Sequence, residues 1–366
     1  MNLFKEMPVV TLTRFIVRYR KIRVQRLPLL LLYYIRGIAA IPFILCKHLI
    51  YSQRIKKTKI VKDPVFILGH YRSGTTLLHK LMAADHRFGY PTNYHVLSPN
   101  MSLLFGKPFE RLLQSFIYKF RIRNFHFNNL IHELNEPSEE DMCLIHRYSP
   151  HAAYWGFIFP RNANEILFMD SSSAAAAASW RNVYQSLLRE ITYRNNGKQL
   201  LLKNPPNTSR IKELLEMFPN AQFIYIRRNP VRLYYSMLNL WKKAIVKYYA
   251  VQNISDEELS EVLFEHYRTL IQKYLSSRDL IPKENLLEIR YEDLKADPYG
   301  VIQSIYRKLK LDDFDEISIS LSEAIERQQK YKPFNYADDS VTSQRVRQEW
   351  GALMENEIEV ESATIN

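Results

Sequence analysis

Hydrophobic and polar positions follow three regimes along the chain. In residues 9–26, VVTLTRFIVRYRKIRVQR, Arg14, Arg18 and Lys21 recur at helical spacing beside Val10, Phe15, Ile16, Tyr19 and Ile22, the pattern of a membrane-surface helix. It runs into LPLLLLYYIRGIAAIPFILC (27–46), long enough to cross ~30 Å of hydrocarbon. Arg36 sits at the middle of that run, where a charge costs roughly 2.5–3.5 kcal/mol on insertion scales. Pro28 and Pro42 predict breaks near each end. The pattern suits a monotopic or re-entrant anchor, a single span, or a buried hairpin of soluble helices.

From Pro64 the regime changes. Short apolar runs bounded by turn residues predict strands at 65–68, 200–203 and 222–227, with helices from Thr75, over 208–217 and from Val231. Residues 100–195 carry long helical patterns, and a strand is expected at Glu165–Asp170. Ser171, Ser172 and Ser173 before five alanines predict a capped helix. The stretch 256–356 reads as mostly helical, including 299–309, and 357–366 as a frayed tail.

Charge separates the first regime from the rest. The 366 residues hold 51 Lys+Arg and 38 Asp+Glu, a formal charge of +13. Residues 1–62 contain fourteen of the bases and one acid, Glu6, so the body from 63 onward is neutral. A nucleic-acid surface spread over the fold is therefore excluded, and the bases point to anionic lipid. Composition is that of a globular protein, with 46% hydrophobic residues. The two cysteines, Cys46 and Cys143, form no disulfide framework and no metal-ligand spacing. No small-residue cleavage site follows the apolar run, which argues against a signal peptide. The organisation expected is a membrane-associating segment at 1–62, one domain at 63–356 with an insertion at 100–195, and the tail.

Candidate chemistry begins at PVFILGHYRSGTTLLHKLM (64–82). Strand, loop and helix follow in the order that aims backbone N–H groups at an anion. Gly69 and Gly74 have the spacing of a nucleotide-binding P-loop, but Thr75 stands where that loop has Lys. A kinase or ATPase uses that Lys on the β/γ-phosphates. Its replacement argues against those enzymes, and Arg72 brings positive charge from another place.

Arg72-Ser73-Gly74-Thr75-Thr76-Leu77 resembles the 5′-phosphosulfate loop of sulfotransferases, in the variant with Arg ahead of S-G-T-T found in the bacterial and tyrosylprotein branches. A second segment agrees: Lys203-Asn204-Pro205, Phe218-Pro219-Asn220-Ala221, Arg228-Asn229-Pro230 and Ser236 are similar to the family's second donor motif. Tyr291-Glu292-Asp293-Leu294 resembles a strand-end segment that follows, so the likeness covers roughly 63–350. The resemblance implies an α/β fold, a P-loop-like parallel sheet flanked by helices, with a largely helical acceptor-site insertion and a helical C-terminal part. It implies a donor, 3′-phosphoadenosine 5′-phosphosulfate (PAPS), and a product, adenosine 3′,5′-bisphosphate, with no metal.

By the same resemblance, residues 72–77 hold the 5′-phosphosulfate, and Arg228 and Ser236 the 3′-phosphate. Arg72 and Lys203 neutralise charge during transfer, a reaction governed by positioning and electrostatics. His95 falls where many relatives have a Glu base, with His132 and Glu136 as the competing bases. Lys332–Tyr336 is expected over the adenine. The aromatic-rich insertion and basic N-terminus tilt the acceptor toward a hydrophobic alcohol, a sterol, steroid or lipid, over a carbohydrate or peptide tyrosine. A degenerate nucleotide kinase and a non-catalytic scaffold are the other readings. The compartment expected is the cytoplasmic face of the inner membrane, with a Golgi-lumenal enzyme on a single span as the alternative.

Overall fold

The computed structural model describes residues 7–124, 130–131, 133–168, 173–329 and 340–358. In chain order these carry α1 (Pro8–Tyr19), α2 (Leu27–Lys57), β1 (Val65–Leu68), α3 (Thr75–Met82), β2 (Phe88–Gly89), α4 (Asn93–Leu97) and α5 (Met101–Lys119). There follow β3 (Arg123–Asn124), β4 (Leu130–Ile131), α6 (Glu140–His146), α7 (Trp155–Ile158), α8 (Ala163–Leu167), α9 (Ala174–Arg194), β5 (Gln199–Lys203), α10 (Ile211–Met217) and β6 (Gln222–Arg227). The last are α11 (Pro230–Leu240), α12 (Val246–Tyr248), α13 (Asp256–Ser277), β7 (Leu286–Arg290), α14 (Tyr291–Ala296), α15 (Pro298–Leu309), α16 (Ser318–Gln329) and α17 (Ser340–Ile358). Five strands make one sheet in the order β2-β5-β1-β6-β7, with parallel pairing in β2·β5, β1·β6 and β6·β7. The fold is the α/β, P-loop-like architecture that the sequence predicts.

Contacts divide the chain into two compact units, Met1–Asp63 with His86–Leu202 and Lys243–Ser255, and Pro64–Asp85 with Lys203–Lys242 and Asp256–Asn366. This cut differs from the expected one at 62/63, because the N-terminal segment shares a core with the insertion.

In the second unit, β1 is buried at every position and lies in register with β6, Val65 opposite Gln222 and Leu68 opposite Tyr225. Such uninterrupted apolar runs are what a strand covered on both faces requires. Leu259, Leu263, Phe264, Tyr267, Leu270, Ile271 and Tyr274 make the buried stripe of α13, and Tyr274 stacks on Tyr225 of β6 with ring centroids 3.7 Å apart. Tyr267 stacks in the same way on Trp350 of α17, at 3.9 Å.

In the first unit, α1 buries Leu12, Phe15 and Tyr19, and Phe15 stacks on Trp155 at 4.4 Å. The apolar face that the pattern assigned to a membrane surface is thus spent on protein core. α2 runs without a break from 27 to 57, with Pro28 in its first turn and Pro42 inside it, so the break expected at Pro42 is absent. Arg36 meets Nδ1 of His146, which gives the charge in the apolar run a protein partner.

Elsewhere most predicted elements stand. β6 spans 222–227 as predicted, and Ser173 caps α9 by accepting the N–H of Ala176 at 3.1 Å. The strand expected from Glu165 is instead helix α8 through Leu167, with Ile166 and Leu167 buried. The helix expected at 208–217 is a 3₁₀ turn, Pro205–Ser209, followed by α10. The segment 291–294 opens α14, immediately after β7. Met169, Asp170, Ser171, Ser172, the adenine-side segment Lys332–Tyr336 and the tail from 359 lie outside the described residues.

Candidate active site

The phosphate-type loop connects β1 to α3, and its backbone is possible only with glycine at two places. Gly69 has φ +143°, and a Cβ there would stand 2.5 Å from the carbonyl oxygen of Ile226. Gly74 is the left-handed N-cap of α3 (φ +110°), and its Cβ would meet the Tyr291 ring at 2.4 Å. Between them Ser73 N–H closes a turn on His70 O at 3.1 Å, and Arg72 takes a positive φ of 70°. No side chain caps α3. The first-turn N–H groups of a helix lack intrahelical partners, so this terminus is built to receive an anion. The buried Ser73 Oγ, with no hydrogen-bond partner among the described residues, belongs to the same cradle. These features fit a bound phosphate group.

The cations gather around that loop within the second unit. Arg72 Nε donates to Ser236 Oγ at 3.0 Å, and Arg228 Nη1 donates to the carbonyl of Arg72 at 2.9 Å. The guanidinium of Arg228 lies over the ring of Tyr291, 4.5 Å from its centroid. Lys203, buried at the end of β5, donates from Nζ to Thr76 Oγ1 at 3.3 Å. Of the residues predicted for donor binding and catalysis, Arg72, Arg228 and Ser236 are thus linked by direct contacts, and Lys203 contacts Thr76. Ser73, Gly74, Thr75 and Leu77 lie on the same loop and helix start. Among the described residues no group of His, Cys, Asp and Glu has the arrangement of a metal site.

The base candidates belong to the first unit. His95 is the third residue of the short helix α4, whose N-cap is Thr92. Its Nδ1 accepts the N–H of Thr92 at 3.2 Å, while Thr92 Oγ1 accepts the N–H of His95 at 3.5 Å. A backbone N–H can only donate, so the neutral ring carries its proton on Nε2. Burial and the nearby Arg194 bring its pKa down to about 3. Nε2 is thus a donor in this arrangement, the reverse of what a base needs. Glu136 lies beside α4, since the N–H of Asn93 donates to its carbonyl at 3.0 Å. His132 is outside the described residues. Glu140 and Asp141 open α6, where the helix dipole favours carboxylates. Burial raises Glu140 to about 7, and it accepts the Tyr184 hydroxyl at 2.7 Å.

A family model described as Sulfotransferase family matches residues 64–316, which include the whole loop and cation cluster. The chain belongs to the sulfotransferase family. It is 30% identical over 316 residues to omega-hydroxy-beta-dihydromenaquinone-9 sulfotransferase Stf3 of Mycobacterium bovis and of Mycobacterium tuberculosis, a match covering 85% of this chain and 79% of each relative. In fold it is similar to the crystal structure of sulfotransferase STF1 from Mycobacterium tuberculosis H37Rv, with TM-score 0.70, 17% identity, and 94% of this chain and 91% of that chain covered. The structure of STF9 from Mycobacterium avium gives TM-score 0.67 at 17% identity, over 84% and 80%.

Contacts in this sulfotransferase also give residues roles that the motifs did not specify. Thr208 Oγ1 accepts the N–H of Gly69 at 2.8 Å and donates back to its carbonyl at 3.2 Å, clamping the loop's first residue. Asn229 Oδ1 accepts the N–H of Arg232 and so caps α11, the helix that carries Ser236. That cap was legible, since Asn followed by Pro is a helix-start signal. Glu292 holds the other side of Asn229 by accepting its N–H at 3.2 Å. Nothing local marks Thr208, and Tyr291 and Glu292, though inside the strand-end segment that resembles the family, gain these contacts only when distant segments meet.

Proposed function

We propose that this enzyme moves a sulfuryl group from PAPS to the hydroxyl of a hydrophobic, lipid-class alcohol, on the cytoplasmic face of a membrane with which residues 1–62 associate. The observation that carries the reading is the joining of Arg72, Arg228 and Ser236 beside the Gly69–Thr76 loop, with Lys203 on Thr76. Guanidinium groups and a hydroxyl at a helix start suit the two phosphates of a 3′,5′-substituted adenosine. The acceptor class is supported by the relatives named for a hydroxylated dihydromenaquinone. The apolar helix α2 supports the membrane.

In the reaction the acceptor oxygen bonds to sulfur as the bond from sulfur to the 5′-phosphate oxygen breaks, releasing adenosine 3′,5′-bisphosphate. Arg72 and Lys203 offset the charge that develops on the leaving oxygen, a contribution that preorganised donors supply without reorganisation. The hydroxyl proton goes to a base. We assign that role to Glu136 in place of His95, because His95 would have to give up its bond from Thr92 before Nε2 offered a lone pair. On this assignment His95 shapes α4.

Labelled PAPS offered with long-chain and isoprenoid alcohols, sugars and tyrosine peptides should label the hydrophobic alcohols. Labelling of sugars or peptides alone would overturn the acceptor class. Arg228→Ala should weaken binding of the bisphosphate product by about 1.5–3 kcal/mol, the loss of a charge-assisted hydrogen bond, read by isothermal titration. Unchanged affinity would remove Arg228 from the site. Glu136→Gln should abolish turnover while His95→Asn keeps a substantial part of it, and the opposite pattern returns the base to His95.

A further inference from the structure

Helix α2 has two unlike faces. On one side it is fixed to its own unit by partners spaced from residue 33 to residue 51. Tyr33 donates its hydroxyl to the carbonyl of Tyr249 at 3.0 Å, and the Tyr148 hydroxyl donates to the carbonyl of Tyr33 at 2.7 Å. Arg36 meets His146, Lys47 pairs with Glu190 at 3.1 Å, and Tyr51 stands edge-on to Tyr193. These contacts run along roughly 27 Å of helix at 1.5 Å per residue. A crossing helix needs about 20 residues inside hydrocarbon. Here one side of the same stretch is held to folded protein and to a buried carboxylate, contacts that a crossing helix would have to release.

The opposite side is bare and apolar. Leu31, Leu32, Ile35, Ile38, Leu45 and Leu49 follow helical spacing and are 40% to 81% exposed. Between 27 and 53 the only charges are Arg36 and Lys47, both turned to the partners above. Helix α5 lies alongside, with Phe105 edge-on to Phe43 of α2 at 6.1 Å. It exposes Phe105, Leu112 and Phe116 among exposed Lys107, Arg111 and Lys119. Exposed Arg54, Lys56 and Lys57 end α2, and the one acid on either helix, Glu110 of α5, is partly buried. An apolar stripe of this length exceeds what a soluble monomer leaves in water. Its occupant must accept apolar side chains and supply negative charge at the rim, which is the chemistry of a bilayer interface with anionic headgroups.

We propose that the first unit seats on an anionic lipid bilayer through the exposed faces of α2 and α5, with α2 lying in the membrane plane at the headgroup boundary. This rests on the membrane association proposed above and specifies its surface and its mode; it does not depend on the sulfuryl-transfer chemistry.

The chain carries its own probe, because Cys46 is exposed on α2 while Cys143 is buried. Full-length protein labelled at Cys46 with an environment-sensitive fluorophore should float with vesicles of phosphatidylcholine and phosphatidylglycerol, and its emission should shift to the blue. Nitroxide lipids labelled near the headgroup should quench it more than lipids labelled at the chain end. Leu31→Glu combined with Ile35→Glu should reduce flotation at least tenfold, and sulfuryl transfer to a short water-soluble alcohol without lipid should stay unchanged. The combination Arg54→Glu and Lys57→Glu should remove the preference for anionic vesicles. Stronger quenching from the chain ends overturns the proposal in favour of a span. Failure to bind vesicles overturns it outright, as does a lipid-free dimer that the Leu31/Ile35 variant dissociates, which makes a second copy the occupant. Vesicle binding with no sulfuryl transfer to any alcohol upholds this docking and sinks the functional reading alone.

Discussion

Gly74 concentrates the demands of the donor loop in one residue. Its φ of +110° is strained for any side chain, and its Cβ would enter the Tyr291 ring, the same ring that lies under Arg228. Gly74→Ala should therefore cost about 1–3 kcal/mol of stability and move Arg228 with the ring. A thermal unfolding series with and without adenosine 3′,5′-bisphosphate measures both losses. Gly197 is the control, since φ is +81° but nothing lies within 4 Å of the missing Cβ. Gly197→Ala should show the backbone cost and leave the ligand-induced shift intact. Gly69, Arg72 and Gly74 were legible because strand, loop and helix follow one another in sequence. Lys203, Arg228 and Ser236 were expected only through the resemblance to the family's second donor motif. Tyr291 was legible as part of the family-like segment 291–294 but not as the ring under Arg228, because chain folding places it there and leaves no local pattern. The hydrogen bond from Thr92 to His95 was not legible for a related reason: sequence position locates an imidazole but not the bond that fixes its tautomer.

Among elements, the N-terminal helices show what an apolar pattern does and does not encode. The periodicity of α1 picked out Phe15 and Tyr19, which are buried, along with Val10, which is exposed, and it did not show the covering surface, Trp155 and Phe159 of the same unit. In α2 the pattern gave length and apolarity, while the partners of Arg36 and Lys47 lie far along the chain. The partner of Lys47 is Glu190 of α9, whose side chain is 4% exposed. It accepts Lys47 at 3.1 Å, Arg147 at 2.8 Å and Arg194 at 2.7 Å. Burial by itself would raise its pKa, but Arg147, Lys47 and Arg194 hold it well below the usual carboxylate range. Burial in turn lowers Lys47 to about 8. Removing the one anion leaves three cations uncompensated, and breaking a buried pair in this way costs about 3–5 kcal/mol. Glu190→Gln should lower the urea midpoint accordingly and expose the 47–57 end of α2 to trypsin first. A midpoint within error of the parent would mean the cations find other partners.

For the whole molecule, the charge of +13 is less available than the formula suggests. Arg18 is paired with Glu165, Lys47 with Glu190, and Arg26 donates to the carbonyls of Val246 and Lys247. The larger pH effect comes from groups that carry no charge. Burial lowers His70 to about 4 and His95 and His146 to about 3, and it holds His266 well below its ordinary value. Two of these rings belong to each unit. The unfolded chain binds protons on them near pH 6.5 while the folded chain does not, so stability is full above about pH 6.5 and falls with acidification toward about pH 4. Near pH 5 each ring withdraws on the order of 1–2 kcal/mol. Glu140, raised to about 7, works the other way, because its protonated form is the one the fold favours, and acid restores what it costs at neutral pH. Four rings against one carboxyl leave a net loss. The unfolding midpoint should therefore drop steeply from pH 7 to pH 5 in a buffer of constant ionic strength, before Glu190 begins to titrate. A flat profile over that interval would show that the rings are solvated and accept protons in the folded state.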